Sequence, residues 1–308
     1  MNNDFYRFEY SVHQLGCVAS NILNDGNMGR VSALFENSFY VEMDDGLACI
    51  GHVGLDASPL NVVTAAPGNM NWRASGACLG DTVSCAANTL FVGNRFSFAM
   101  DHATRWSPDP HPATWSKESL KSGLAAFRVA CAGHVPLDGL GGFIEADAGL
   151  IDGRPVCRIA KNPIDGLFEG LMVALRGHDR LSMTGLQWIP RLIGMGPGLT
   201  PSGDDFIGGM MVALHGLGEL EICRHLWAPT RRYATEAGNP IAMAHLEAAA
   251  EGLASAGIHR AMATIMAGGT GVTAETLDNI DRIGHTSGWD AMAGIVMVFD
   301  AWLQAQNL

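Results

Sequence analysis

Positive charge is scarce in this sequence. Nineteen Lys and Arg stand against 31 Asp and Glu, giving a formal net charge of −12, and the densest basic spot is the Arg231-Arg232 pair. A protein that grips a phosphate backbone shows a basic stripe, so no nucleic-acid partner is expected. Long apolar runs are also missing. The longest, "FIGGMMVAL" and "AGIVMVFDAWL", fall well short of the roughly 20 residues that span a bilayer. The opening "MNNDFYRFEYSVHQL" has no basic segment leading into an apolar one, so neither a secretory leader nor a membrane anchor is expected. Cysteine is present but unpatterned. Cys17, Cys49, Cys78, Cys85, Cys131, Cys157 and Cys223 make an odd count with no C-x-x-C, which reads as reduced thiols in a cytoplasmic protein. No Cys or His pair has zinc-ligand spacing, so no metal is expected.

What the chain does have is apolar bulk and glycine. Apolar residues make up 48% of the 308 and charged ones 16%, enough for a sizeable core. Glycine, at 38 residues, lies inside ordered-looking segments, which suggests tight turns and close helix packing. The pattern along the chain changes once. From about Gly29 to Trp106 short strand-like runs dominate ("RVSALF", "SFYVEM", "LACIGHV", "DTVSCAA", "TLFVGN", "RFSFAM"), punctuated by Asn37, Asp44-Asp45-Gly46 and Asn94. A short helix is expected ahead of them, around Ser11–Leu23. "SPDPHPATW" (Ser107–Trp115) then breaks the chain.

Beyond it, helical periodicity takes over in "SKESLKSGLAAFRVACAGH", "NPIDGLFEGLMVALRGH", "FIGGMMVALHGLGEL", "PIAMAHLEAAAEGLASAG" and "GWDAMAGIVMVFDAWLQA". The stretch Gly141–Arg158 fits a short hairpin. The last helix is apolar nearly all round, the profile of a central buried helix. The expected fold is therefore α+β, with a β-rich N-terminal domain over 1–110, barrel or sandwich, and a mainly helical domain over 111–308.

Two stretches of the helical part share one pattern. "SGDDFIGG" (Ser202–Gly209) and "SGWDAMAG" (Ser287–Gly294) both read S-G-x-D-x-[IM]-x-G, and each opens an apolar helix. Capping explains part of this. Ser202 and Ser287 are expected as N-caps, with Asp205 and Asp290 completing a capping box and meeting the positive end of the helix dipole. Thr200 with Pro201 is the alternative cap in the first copy, where the second has His285. Capping does not explain Gly209 and Gly294, each one turn beyond its aspartate on the same helix face. A carboxylate beside bare backbone suits a close helix crossing or the approach of a small ligand.

Ahead of the first copy, Gly194, Gly196 and Gly198 free several backbone N–H groups, and such a run into a helix start makes an anion-binding concavity. It is not a Walker A loop, since no Gly-Lys-[Ser/Thr] follows, nor G-x-G-x-x-G. No G-x-S-x-G elbow is present either. Carboxylates beside an anion site pose a conflict. Either capping and an arginine neutralise them, with Arg191, Arg282 and His285 as neighbours in sequence, or they hold a metal, an ammonium or an amide N–H. The candidate catalytic residues are Asp205 and Asp290. The candidate anion and substrate ligands are Gly196, Gly198, Thr200, Ser202, Gly203, Asp204, Ser287, Gly288, His285 and Arg191. His215, His225, His245 and His259 lack a shared spacing and read as structural.

"GMGPGLTPSGDDFIGG" followed by "IGHTSGWDAMAGI" resembles the two signature blocks of the AllH family, most clearly from about Ile193 onward. The resemblance implies a subunit of oxamate carbamoyltransferase, which interconverts oxalurate plus phosphate with oxamate plus carbamoyl phosphate. It also implies further, unrelated subunits as partners, and phosphate or carbamoyl phosphate as substrate with no separate cofactor. Two other readings stand beside it: a non-catalytic assembly subunit, and a stand-alone amidohydrolase or lyase that uses the two aspartates.

Overall fold

The computed structural model describes residues 7–109, 114–145, 151, 153–177 and 183–306. The chain divides into two compact units, Met1–Pro108 and Asp109–Leu308. The first is a β-barrel. Strands β1 (Phe8–Gly16), β2 (Met28–Leu34), β3 (Ser38–Met43), β4 (Gly46–Gly51), β5 (Asn61–Thr64), β6 (Thr82–Ala86), β7 (Thr89–Val92) and β8 (Phe96–Ala99) run in the order β5-β4-β3-β2-β6-β7-β8-β1. Pairing of β1 with β5 closes the ring. The Asp44-Asp45 turn joins β3 to β4, with Met43 opposite Gly46.

The helix expected over Ser11–Leu23 is corrected. Residues Phe8–Gly16 are strand, and only Ala19–Ile22 (α1) is helical. The reason is tertiary, because β1 has two different neighbours along its length. Phe8–Ser11 pair parallel with Phe96–Ala99, and beyond a bulge near Val12 the strand pairs antiparallel with β5. Its last residues also take a ninth strand, β9 (Thr104–Trp106), in parallel. Local helix preference loses to these ladders. Inside the barrel Phe39, Trp72, Phe96 and Phe98 are sealed from solvent, with the Phe39 and Trp72 rings 4.9 Å apart. Each such ring contributes about 2–3 kcal/mol over an exposed one.

The second unit is helical: α2 (Lys117–Cys131), α3 (Pro155–Leu175), α4 (Met183–Leu186), α5 (Ile189–Leu192), α6 (Ser202–Leu217), α7 (Leu220–Ala237), α8 (Pro240–Ala250), α9 (Ala256–Met266), α10 (Ala274–Asp281) and α11 (Ser287–Ala305). The described part of Gly141–Arg158 holds a 3-10 turn (Gly141–Ile144) and the start of α3, not a hairpin strand; residues 146–150 and 152 lie outside the described residues. Much of the Ser107–Trp115 breaker, at 110–113, lies outside them too. "PIAMAHLEAAAEGLASAG" is two helices rather than one, broken where Gly252 takes φ +77°. In α11 the run Ile295–Phe299 is buried on every side, as its composition predicts.

Candidate functional site

The two S-G-x-D segments meet. Helices α6 and α11 cross where each has its glycine: a Cβ on Gly209 would lie 1.9 Å from the Ala291 carbonyl oxygen, and one on Gly294 would lie 2.0 Å from that of Phe206. The contacts are reciprocal, since Ala291 follows Asp290 as Phe206 follows Asp205. A local two-fold relation therefore passes between the aspartates. The segments ahead of the helices obey it as well. Gly203 packs on the Leu192 carbonyl and Gly288 on that of Ile280, while Gly196 and Gly284 sit against Ser202 and Ser287 with positive φ. The first copy differs by three extra residues in its loop, within Pro197–Pro201.

The capping expectation is overturned. Ser202 and Ser287 are the first residues of their helices, and the N-cap positions belong to Pro201 and Thr286, neither with a side-chain cap bond. Elsewhere this chain does cap with hydroxyls: Ser116 with Ser119 at α2, and Thr273 with Thr276 at α10, form reciprocal boxes. The motif serines do something else. Ser287 Oγ is 2.9 Å from Thr200 Oγ1 of the other copy. The hydroxyls of Ser287 and Thr200 both face Asp205, and those of Ser202 and Thr286 face Asp290.

All three aspartates are held above the usual carboxylate range, chiefly by burial. Asp204 is pushed up to about 6, opposed by the Gly194 N–H, which donates to its Oδ1 at 2.9 Å. Asp205 is raised well above its ordinary value by desolvation, with the nearby Asp290 adding to the shift. Asp290 is raised by burial, against the Leu140 amide that donates to its Oδ1. Asp205 Oδ2 and Asp290 Oδ2 are both shut away from solvent without a hydrogen-bond partner. A buried acceptor in that state costs about 1–3 kcal/mol, so the pair is kept at a price in stability.

The arginines do not resolve the charge conflict. Arg191 and Arg282 are exposed, and neither forms an ion pair with the aspartates among the described residues. His285 is also exposed, with Nε2 3.8 Å from Asp138 Oδ2. Burial pushes all three acids toward the neutral form, which weakens the repulsion of an anion without a counter-charge. Along the loop, Gly203 donates to the Met195 carbonyl. The amides of Gly196, Gly198, Leu199 and Thr200 take no protein acceptor among the described residues. Gly196 and Gly198 reach φ +104° and +106° and are exposed.

Sequence reasoning missed the strap Pro136–Gly142. It lies over the start of α11: a Cβ on Gly139 would come within 2.5 Å of Asp290 Oδ1. Buried Arg154 fixes it, donating from Nη1 to the Pro136 carbonyl at 2.6 Å and from Nη2 to Glu145 at 3.2 Å. The signal was present in "LDGLGGF", glycine-dense like the first block but without its serine. Among the described residues no group of three or more His, Cys, Asp or Glu is placed to hold a metal ion, and no helix is long and apolar enough to cross a membrane.

Comparison with known proteins places a family on the crossing. No curated protein and no solved structure matches the chain. Residues 192–299, from the end of α5 into α11 and so including both S-G-x-D segments and the crossing between them, match the family model described as oxamate carbamoyltransferase subunit AllH.

Proposed function

We propose that this chain is a subunit of a carbamoyltransferase of the oxamate carbamoyltransferase type, with its small-substrate site at the α6–α11 helix starts. The observation that carries this reading is the pair of aspartates, each with a sealed and unpartnered Oδ2, beside a loop of free amides. The loop from Gly196 to Thr200, with Ser202, receives phosphate or a carboxylate. Oδ2 of Asp205 or Asp290 receives the amide nitrogen. In phosphorolysis a phosphate oxygen bonds to the carbamoyl carbon while its bond to the oxamate nitrogen breaks. That nitrogen then needs a proton, which a carboxyl kept neutral by burial supplies; in reverse the carboxylate takes it back. Positioning by the amides stabilises charge on the transferred group.

A second reading, a non-catalytic assembly subunit, is favoured by one observation: Asp290 is wholly buried and already bound by the strap. Phosphate-dependent cleavage of oxalurate by the chain assembled with its partner subunits, followed as carbamoyl phosphate formed, separates the two. Full activity with normal folding in both Asp205→Asn and Asp290→Asn would remove the aspartates from the chemistry and leave the assembly reading.

A further inference from the structure

The serines of the two motifs remain to be explained, because neither caps its helix. Each lies at the first helical position, under a glycine of its own loop. The 2.9 Å contact between Thr200 Oγ1 and Ser287 Oγ already crosses from one copy to the other.

We propose that Ser202 and Ser287 are positioning residues that work across the local two-fold. Ser287, joined by Thr200, fixes Asp205, and Ser202 fixes Asp290, so that each carboxyl turns its remaining oxygen, Oδ2, to an N–H donor of the ligand. That the donor is a carbamoyl or carboxamide NH₂ rests on the function proposed above; the exchange of serines does not. The exchange makes the two motifs one unit, since neither carboxyl is complete without a residue of the other copy. It also gives a reason for the serine to recur with the aspartate at fixed spacing in both copies.

Residue-specific titration tests this in the full-length chain, with ¹³C-carboxyl aspartate labelling and assignment by Asp205→Asn and Asp290→Asn. The ionisable neighbours are few. Asp205 faces Asp290 and Asp204; Asp290 faces His285 and, from α3, Cys157. Removing a hydroxyl that favours the charged form raises the titration midpoint. Ser287→Ala is expected to move Asp205 upward by about one pH unit and leave Asp290 in place, and Ser202→Ala to do the reverse. Thr200→Ala moves Asp205 alone. Should an alanine variant fail to fold, the cysteine variant, with its weak S–H donor, is expected to give the same pattern at smaller size. For the two serine variants, a shift of the same-copy aspartate, of both equally, or of neither in folded protein overturns the proposal. The titration needs no substrate, so failure of carbamoyl transfer would leave its result standing, and an intact transferase with the wrong pattern would overturn the positioning roles alone.

Discussion

The two copies of the S-G-x-D motif share a frame and differ in their surroundings. Around the first, the loop is longer and its amides are open, and Asp205 is only half-buried as a residue while its Oδ2 is sealed. Around the second, the loop is short and the Pro136–Gly142 strap lies on top, so that Asp290 has no exposure at all. Even the variable third position does matching work with opposite polarity: Asp204 accepts from the Gly194 amide, whereas Trp289 Nε1 donates to Asp281 Oδ1 at 2.6 Å. Each contact ties a helix start to the segment before it. The difference teaches that symmetry here sets where the carboxyls stand, and the added loops decide how far each one is covered.

The frame is the first thing to break. Gly209→Ala and Gly294→Ala each force a methyl onto a backbone carbonyl, and each is expected to cost about 3 kcal/mol in urea unfolding. Equal costs support the reciprocal crossing; a harmless change at either position contradicts it. Next comes the division of labour. Asp205→Asn is expected to lower carbamoyl transfer by about 100-fold with little change in Tm. Asp290→Ala, which strands the Leu140 amide, is expected to lose about 2 kcal/mol of stability. Equal stability losses would make the two copies equivalent and the distinction wrong.

Asp204 offers a pH test of the first copy alone. Its folded value, about 6, lies above the unfolded one, so its contribution is fully present below about pH 4 and is lost as pH rises through 6. Stability should decline by on the order of 2 kcal/mol over that window, and Asp204→Asn should flatten this part of the profile. The smallest effect belongs to the second copy's loop. His285 is 85% exposed and its acidic neighbour 77%, so His285→Ala should change stability by less than about 0.5 kcal/mol.

Much of this was legible in the residues. Alternation and turn signals delimit β2, β3, β4, β6, β7 and β8, and the all-apolar last helix sits where such a helix must. The recurrence of Ser, Gly, Asp and Gly pointed to two segments that belong together, and the glycines one turn past the aspartates pointed to a close crossing. What was hidden depends on contacts distant in sequence. Nothing local in Phe8–Gly16 says that its strand partners lie in the middle and at the end of its domain. Nothing in "SGDD" says that the serine faces another copy's aspartate rather than its own helix start. The upward push on the carboxyls was also out of reach, because charge patterning shows nearby arginines but not depth of burial.

The way β1 is seated has a consequence for how the barrel comes into being. Its ladder partners lie at Asn61–Thr64, Phe96–Ala99 and Thr104–Trp106, so the strand leaves the ribosome with no neighbour to bind. Hairpins such as β3–β4 and β7–β8 can zip as they emerge, while pairing β1 with β5 closes a loop of about fifty residues and pairing β1 with β8 one of about ninety, which waits for almost the whole unit. Until then an edge strand with an exposed ladder persists on the growing chain, and that interval is when this domain is most open to mispairing with another copy of itself.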